Sequence, residues 1–178
     1  MSLEDLESFL NEDNDKEEVK FDSEKEKQKW LDSVQKLYQD IDEWLKPLGE
    51  KAIISYEKMI LDEEKIGEYE INQMVINLKG NIVRLKPIGT LIIGSRGRID
   101  MLGNYGTVMF TWVDKLATKP KISVRFFNSK EEMLAHKPEK PKQVEYAWKI
   151  MTPAPNVKYI PLNEETFSDS LLSVIKNG

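Results

Sequence analysis

The apolar residues of this chain change their spacing between Pro47 and Ala52, and that change constrains the fold more than any motif does. Before it, Trp30, Leu31, Val34, Leu37, Tyr38, Ile41, Trp44 and Leu45 recur at the 3.6-residue interval of one helical face. After it, for about a hundred residues, apolar side chains alternate with polar ones, the period of half-buried strands. A helix that buries one stripe must therefore find its partner in a sheet built from the residues beyond Ala52.

Ser23 with Glu26 three positions on has the form of a capping box, and Pro47 with Gly49 stops the helical pattern. The spacing predicts a helix from Ser23 to Lys46, roughly six turns long, packed by its Trp30 and Trp44 face. Truncation of Trp44 to alanine should then cost roughly 3 to 5 kcal/mol. Strands are expected around Ile54 to Leu61 and from Tyr69 to Leu78, where the apolar residues switch faces near Gln73 as at a bulge. The Lys79-Gly80-Asn81 turn leads into Ile82 to Lys86, closed by Pro87. Val108, Phe110 and Trp112, then Ile122, Val124 and Phe126, then Val144, Tyr146, Trp148 and Ile150 continue the alternation. Strands in sequence without intervening helices make an antiparallel meander. The fold class is thus α+β: about six to eight strands, open or closed into a barrel, against a long N-terminal helix and a short C-terminal one. Asn163 is the expected N-cap of the latter, with Phe167, Leu171, Leu172 and Ile175 on its face.

A chain of 178 residues supports one sizeable core. Residues 1–22, net -7, combine low hydrophobicity with high charge and are expected to be a disordered acidic tail; 23–178 form the single globular domain. Within the tail Leu3, Leu6, Phe9 and Leu10 recur at helical spacing and could dock in a partner's groove. Residues 79–151 reverse the sign to net +8. No apolar run reaches the ~20 residues of a membrane span. The acidic start is unlike a signal peptide, so a cytoplasmic chain with no membrane partner is expected. The absence of cysteine excludes disulfides, thiol nucleophiles and thiolate metal sites.

The stretch "TLIIGSRGRIDMLGNYGTV", Thr90 to Val108, holds Gly94, Gly97, Gly103 and Gly106. It lacks the lysine and hydroxyl that complete a Walker phosphate loop and has the wrong spacing for a dinucleotide turn. Two hairpins are expected instead. Thr90 to Ile93 would pair with Arg98 to Leu102, and Arg98 to Leu102 with Thr107 to Val113, glycines supplying the positive φ of tight turns. Alternation would put Ile99 and Met101 on the core face and Arg98 with Asp100 on the other.

Asp100 and the later "WVDK" resemble, at a glance, the acidic hairpin and acid-x-lysine triplet of PD-(D/E)xK metal-dependent nucleases. Such a resemblance implies Mg²⁺-dependent hydrolysis. Here, however, Asp114 directly precedes Lys115, and adjacent strand residues point to opposite faces. His136, the one histidine, has no ligand-spaced neighbours. No catalytic centre, metal or cofactor is expected. The first functional expectation is therefore a non-enzymatic intracellular accessory protein that binds another protein through its apolar-acidic tail or a sheet edge. The alternative is a nucleic-acid-backbone binder using the basic region 79–151, with Arg84, Lys86, Arg96, Arg98 and Lys115 on phosphates and Tyr105, Trp112 and Phe127 stacking on bases. A divergent nuclease is the third. Sequence leaves the oligomeric state open.

Overall fold

The computed structural model describes the backbone of residues 3–90, 96–120, 129–130 and 144–177, and within those ranges the side chains from Ser23 onward. Helix α1 spans Leu3–Leu45. Its second half buries Trp30, Val34, Leu37, Tyr38, Ile41 and Leu45, the stripe read from the sequence. Its start differs: Ser23 lies inside α1, so the Ser23-Glu26 pair is no N-terminal cap. The segment expected to be a disordered tail carries a helical backbone from Leu3. At the other end Pro47 sits in the first turn of a 3₁₀ helix, Lys46–Lys51, and Gly49 leaves helical geometry at φ 54°. Pro47 and Gly49 thus end the helix as expected.

Beyond it, among the described residues, run seven strands: β1 Ile53–Glu63, β2 Gly67–Leu78, β3 Asn81–Gly89, β4 Gly97–Gly103, β5 Gly106–Asp114, β6 Tyr146–Met151 and β7 Tyr159–Pro161. They lie in the order of the sequence, and every neighbouring pair runs antiparallel. This is the α+β meander, and it is open rather than barrel-closed: among the described residues β1 and β7 are its edges. Lys79 and Gly80, at φ 53° and 93°, form a two-residue turn of the kind whose twist suits a hairpin. The short C-terminal helix, α2 (Glu164–Ile175), starts at Asn163, whose side chain accepts from the Thr166 N–H at 3.0 Å. Phe167, Leu171 and Val174 are its buried residues, while Leu172, expected on that face, is exposed.

Helices α1 and α2 share one face of the sheet. Trp30 packs on Trp148 with ring centroids 5.9 Å apart, and the Trp148 indole N–H donates to the Ser33 carbonyl at 2.9 Å. Trp44 meets Phe167 at 5.5 Å, and Phe167 meets Phe110 at 6.2 Å, which joins α1, α2 and β5 in one aromatic layer. Trp30 is fully buried and Trp44 only partly so; the larger truncation cost expected of Trp44 belongs to Trp30.

Three local expectations change. The switch of faces in β2 occurs, since Ile71 and Met74 are both buried, yet the β1–β2 register is unbroken from Ile53↔Asn77 to Glu63↔Gly67. It falls where β2 leaves β3, whose pairing ends at Met74↔Leu85. There the Tyr38 hydroxyl donates to the Asn72 carbonyl at 2.7 Å, supplying a partner that the interrupted ladder lacks. Burial pushes that phenol's pKa well up. Second, β3 does not stop at Pro87: it runs to Gly89 and itself pairs with β4, Arg84↔Leu102 through Gly89↔Arg98, with an irregularity between Pro87 and Gly89. With β5 on its other side, β4 has no place for Thr90 to Ile93, of which Leu91 to Ile93 lie outside the described residues. Third, Gly97, Gly103 and Gly106 do not have positive φ. Gly97 and Gly103 instead mark close approaches. A Cβ at Gly97 would lie 2.2 Å from the Trp30 ring, and one at Gly103 2.3 Å from the Val174 carbonyl oxygen. Gly94, the expected strand Ile122 to Phe126, His136 and nearly all of Asn128 to Gln143 lie outside the described residues.

The sheet's second face is not uniformly polar. Ile99 and Met101 face the core as expected, with Arg98 and Asp100 opposite. Further along that opposite face Thr111, Val113, Lys149 and Tyr159 are buried. The chain leaving β5 crosses here: Lys149 Nζ donates to the carbonyls of Lys115 (2.7 Å) and Ala117 (2.6 Å), and Thr118 accepts from the Tyr159 N–H at 2.9 Å. Lys149→Met, which keeps the stem and removes the donor, is expected to cost about 1–3 kcal/mol in denaturant unfolding. It should also speed hydrogen exchange at the Tyr159 amide; unchanged protection there would refute the clamp.

Candidate interaction surface

The five cations singled out from the sequence lie at three places. Arg84, Lys86 and Arg98 share the outer face of β3 and β4, in rows set by Arg84↔Leu102, Lys86↔Asp100 and Gly89↔Arg98. Arg96 instead reaches Glu26 of α1 and lies over the Tyr146 ring, 4.9 Å from its centroid. Lys115 lies past the end of β5 beside Glu145, at 3.5 Å.

Four of the five have an acidic partner within the molecule. Arg84 Nη1 donates to Glu57 at 2.7 Å, and Gln73 donates to the same carboxylate oxygen at 2.9 Å. Arg98 holds Asp100 with two bonds, Nε to Oδ1 at 2.6 Å and Nη2 to Oδ2 at 2.8 Å. For Glu26 partial burial acts to raise the carboxyl pKa, but Arg96 and Lys29 outweigh it and hold it below the usual range. Arg98 is pushed up first by its bond to Asp100. Lys86 alone makes no ion pair among the described residues, and the carboxylate opposite it, Asp100, is taken by Arg98. A phosphate at this face would therefore compete with carboxylates already in place.

Of the expected stacking residues, Tyr105 is exposed at the β4–β5 turn, Trp112 lies against Tyr146 at 5.1 Å, and Phe127 is outside the described residues. Leu3, Leu6, Phe9 and Leu10 lie on the helical backbone of α1, with side chains outside the described residues. The two aspartates of the nuclease resemblance are apart. Asp100 stands opposite Met109, and Asp114 is five residues further along β5, about 17 Å on and on the other face. Asp114 accepts from the Leu116 N–H, as a turn-capping carboxylate does. Among the described residues no three histidines or carboxylates converge as a metal cage, and no helix is long and apolar enough to cross a membrane.

Two grooves flank α1. One, about 540 Å³, lies against the β1–β2 hairpin between Val34, Gln35, Tyr38, Tyr56, Lys58 and Glu70. The other, about 650 Å³, runs beside β6 and includes Trp44, Trp112, Tyr146 and Trp148. The sheet edge expected from the sequence, there assigned to no particular strand, is formed here by β1. It is an edge strand of 11 residues, with no proline, glycine or bulge, and it exposes Ile53 (60%), Tyr56 (49%) and Ile60 (60%). The signal was present in the meander, whose first strand has a neighbour on one side only among the described residues. No protein-family model, no curated protein and no solved structure matches this chain.

Proposed function

We propose that this chain is a non-catalytic accessory module of the cytoplasm that binds another polypeptide by adding it as a strand to β1. The observation that carries this reading is the long edge that β1 forms among the described residues. A strand of 11 residues presents a row of backbone N–H and C=O groups on its free side. Edges of this length are ordinarily blunted by proline, a bulge, charge or a covering segment; β1 has neither proline nor bulge, and beside its charged residues it exposes three large apolar side chains. Main-chain bonds would supply affinity and the alternating side chains selectivity. The groove between β1–β2 and α1 gives an added strand a wall to lie against. The same reading accounts for the basic face without a ligand: its arginines, Arg84 and Arg98, are already paired with Glu57 and Asp100 of the same chain.

The test is affinity capture with the full chain and with Ile60→Lys, which puts a charge at the middle of the edge while leaving the core untouched. A specific prey retained by the wild type should be lost at least tenfold with the variant, the factor that about 1.4 kcal/mol corresponds to. Equal capture by both would refute the edge as the binding element. A labelled single-stranded oligonucleotide that binds the wild type, and is released by Arg98→Ala, would move the function to nucleic acid.

A further inference from the structure

The edge of β1 is complementary to itself, and we infer that its occupant is a second copy of this chain, joined antiparallel about Ile60 so that two sheets become one. The inference rests on the reading of β1 as the binding element and names its partner.

Sheet continuation limits the choices. A two-fold axis perpendicular to the sheet keeps each side chain on its own face, so the axis must pass through a residue that opposes its own mate. A centre at Glu57 sets glutamate against glutamate, and one at Lys58 sets lysine against lysine, both unfavourable when directly opposite. A centre at Met59 faces Lys58 with Ile60 and Tyr56 with Asp62. The centre at Ile60 differs from these. It pairs the exposed Ile60 with its mate, Met59 with Leu61 twice, and Lys58 with Asp62 twice.

The charges of β1 select the same register. The strand carries Glu57, Lys58, Asp62 and Glu63. Glu57 is engaged by Arg84 and Gln73; Glu63 accepts from the Thr90 N–H at 2.7 Å, the Thr90 hydroxyl at 2.8 Å and the Tyr69 hydroxyl. Lys58 and Asp62 make no ion pair among the described residues, and both are exposed. Asp62 also stands directly opposite Glu68 of β2, a like-charge cross-strand pair. The mate's Lys58 would complete the row Glu68, Asp62, Lys58 on one face and relieve that repulsion. The register does oppose Glu57 to the mate's Glu63, and these are the two carboxylates already held by internal donors.

A chain with no native cysteine allows a direct test by single substitutions. Ile60→Cys should cross-link to its mate under mild oxidation, since directly opposed strand residues lie within disulfide reach. Lys58→Cys, with its mate about 14 Å away, and Tyr56→Cys, about 27 Å away, should not. Independently, sedimentation of the wild type over a concentration series should show a dimer that Lys58→Asp dissociates. Lys58→Asp combined with Asp62→Lys should restore it, because the reversed pair is again complementary. A wild type that stays monomeric throughout, or that cross-links through residue 56 or 58 instead of 60, would overturn the inference. If the chain is monomeric and Ile60→Lys still abolishes capture of another protein, the edge reading stands and only the second copy falls; if Ile60→Lys changes neither, both fall.

Discussion

Trp30→Ala is expected to remove about 3–5 kcal/mol of folding free energy, measured by urea unfolding of the full chain. Trp30 is 0% exposed, its ring lies against the backbone of β4 at Gly97, and Trp148 packs on it at 5.9 Å. The space it would leave is walled by β4 and by an indole that is itself tied to the Ser33 carbonyl. Such a wall relaxes poorly, so both the lost transfer free energy and the cavity count. Since domains of this size are stable by about 5–15 kcal/mol, the variant should be close to unfolding at physiological temperature. Trp44→Ala is the internal comparison: it removes a half-buried ring stacked on Phe167 and should cost clearly less. Equal costs at the two positions would mean that the helix presents its stripe differently from the structure.

Periodicity carried the fold a long way because burial along a helix or strand is a local consequence of which residues are apolar. The stripe from Trp30 to Leu45, the meander, the Lys79-Gly80 turn and the Asn163 cap all depend on neighbours within a few positions. The arginine partners divide on the same principle. Arg98 and Asp100, two residues apart on one strand, are on one face by geometry alone, and the sequence placed them together. Glu26 and Arg96, or Glu57 and Arg84, meet only because α1 lies against β4 and because β2 pairs with β1 on one side and β3 on the other, so that Glu57 and Arg84 reach each other across it. No spacing rule anticipates those meetings. For that reason the five cations singled out from the sequence looked free there, while four of them have an acidic partner in the folded chain. The twist in β2 was visible as a change of phase near Gln73, but its cause was not, since Tyr38 approaches from another element 34 positions away. The open edge of β1 was legible in principle: a meander's first strand lacks one neighbour. Its weight appeared only once Ile53, Tyr56 and Ile60 were found uncovered.

Gly97→Ala should be among the most destabilising single-carbon additions in this protein, and the reason is packing rather than backbone conformation. Gly97 does not have positive φ, so alanine could adopt its geometry without strain. The added Cβ, however, would sit 2.2 Å from Cζ3 and 2.4 Å from Cε3 of Trp30, inside the contact distance of two carbons. The ring cannot retreat easily, because Trp148 packs against it. Overpacking of this kind costs about 1–3 kcal/mol, and more where the neighbour is held rigidly. Gly106→Ala supplies the contrast, since a Cβ there meets nothing within 4 Å. The decisive measurement is the double variant. In a Trp30→Ala background the alanine at 97 would enter vacated space, so the two costs should fail to add, by about 0.5–3 kcal/mol in the favourable direction. If Gly97→Ala costs the same with and without the indole, its glycine is required by something other than Trp30, and the close approach of α1 to β4 is not what fixes the helix on the sheet.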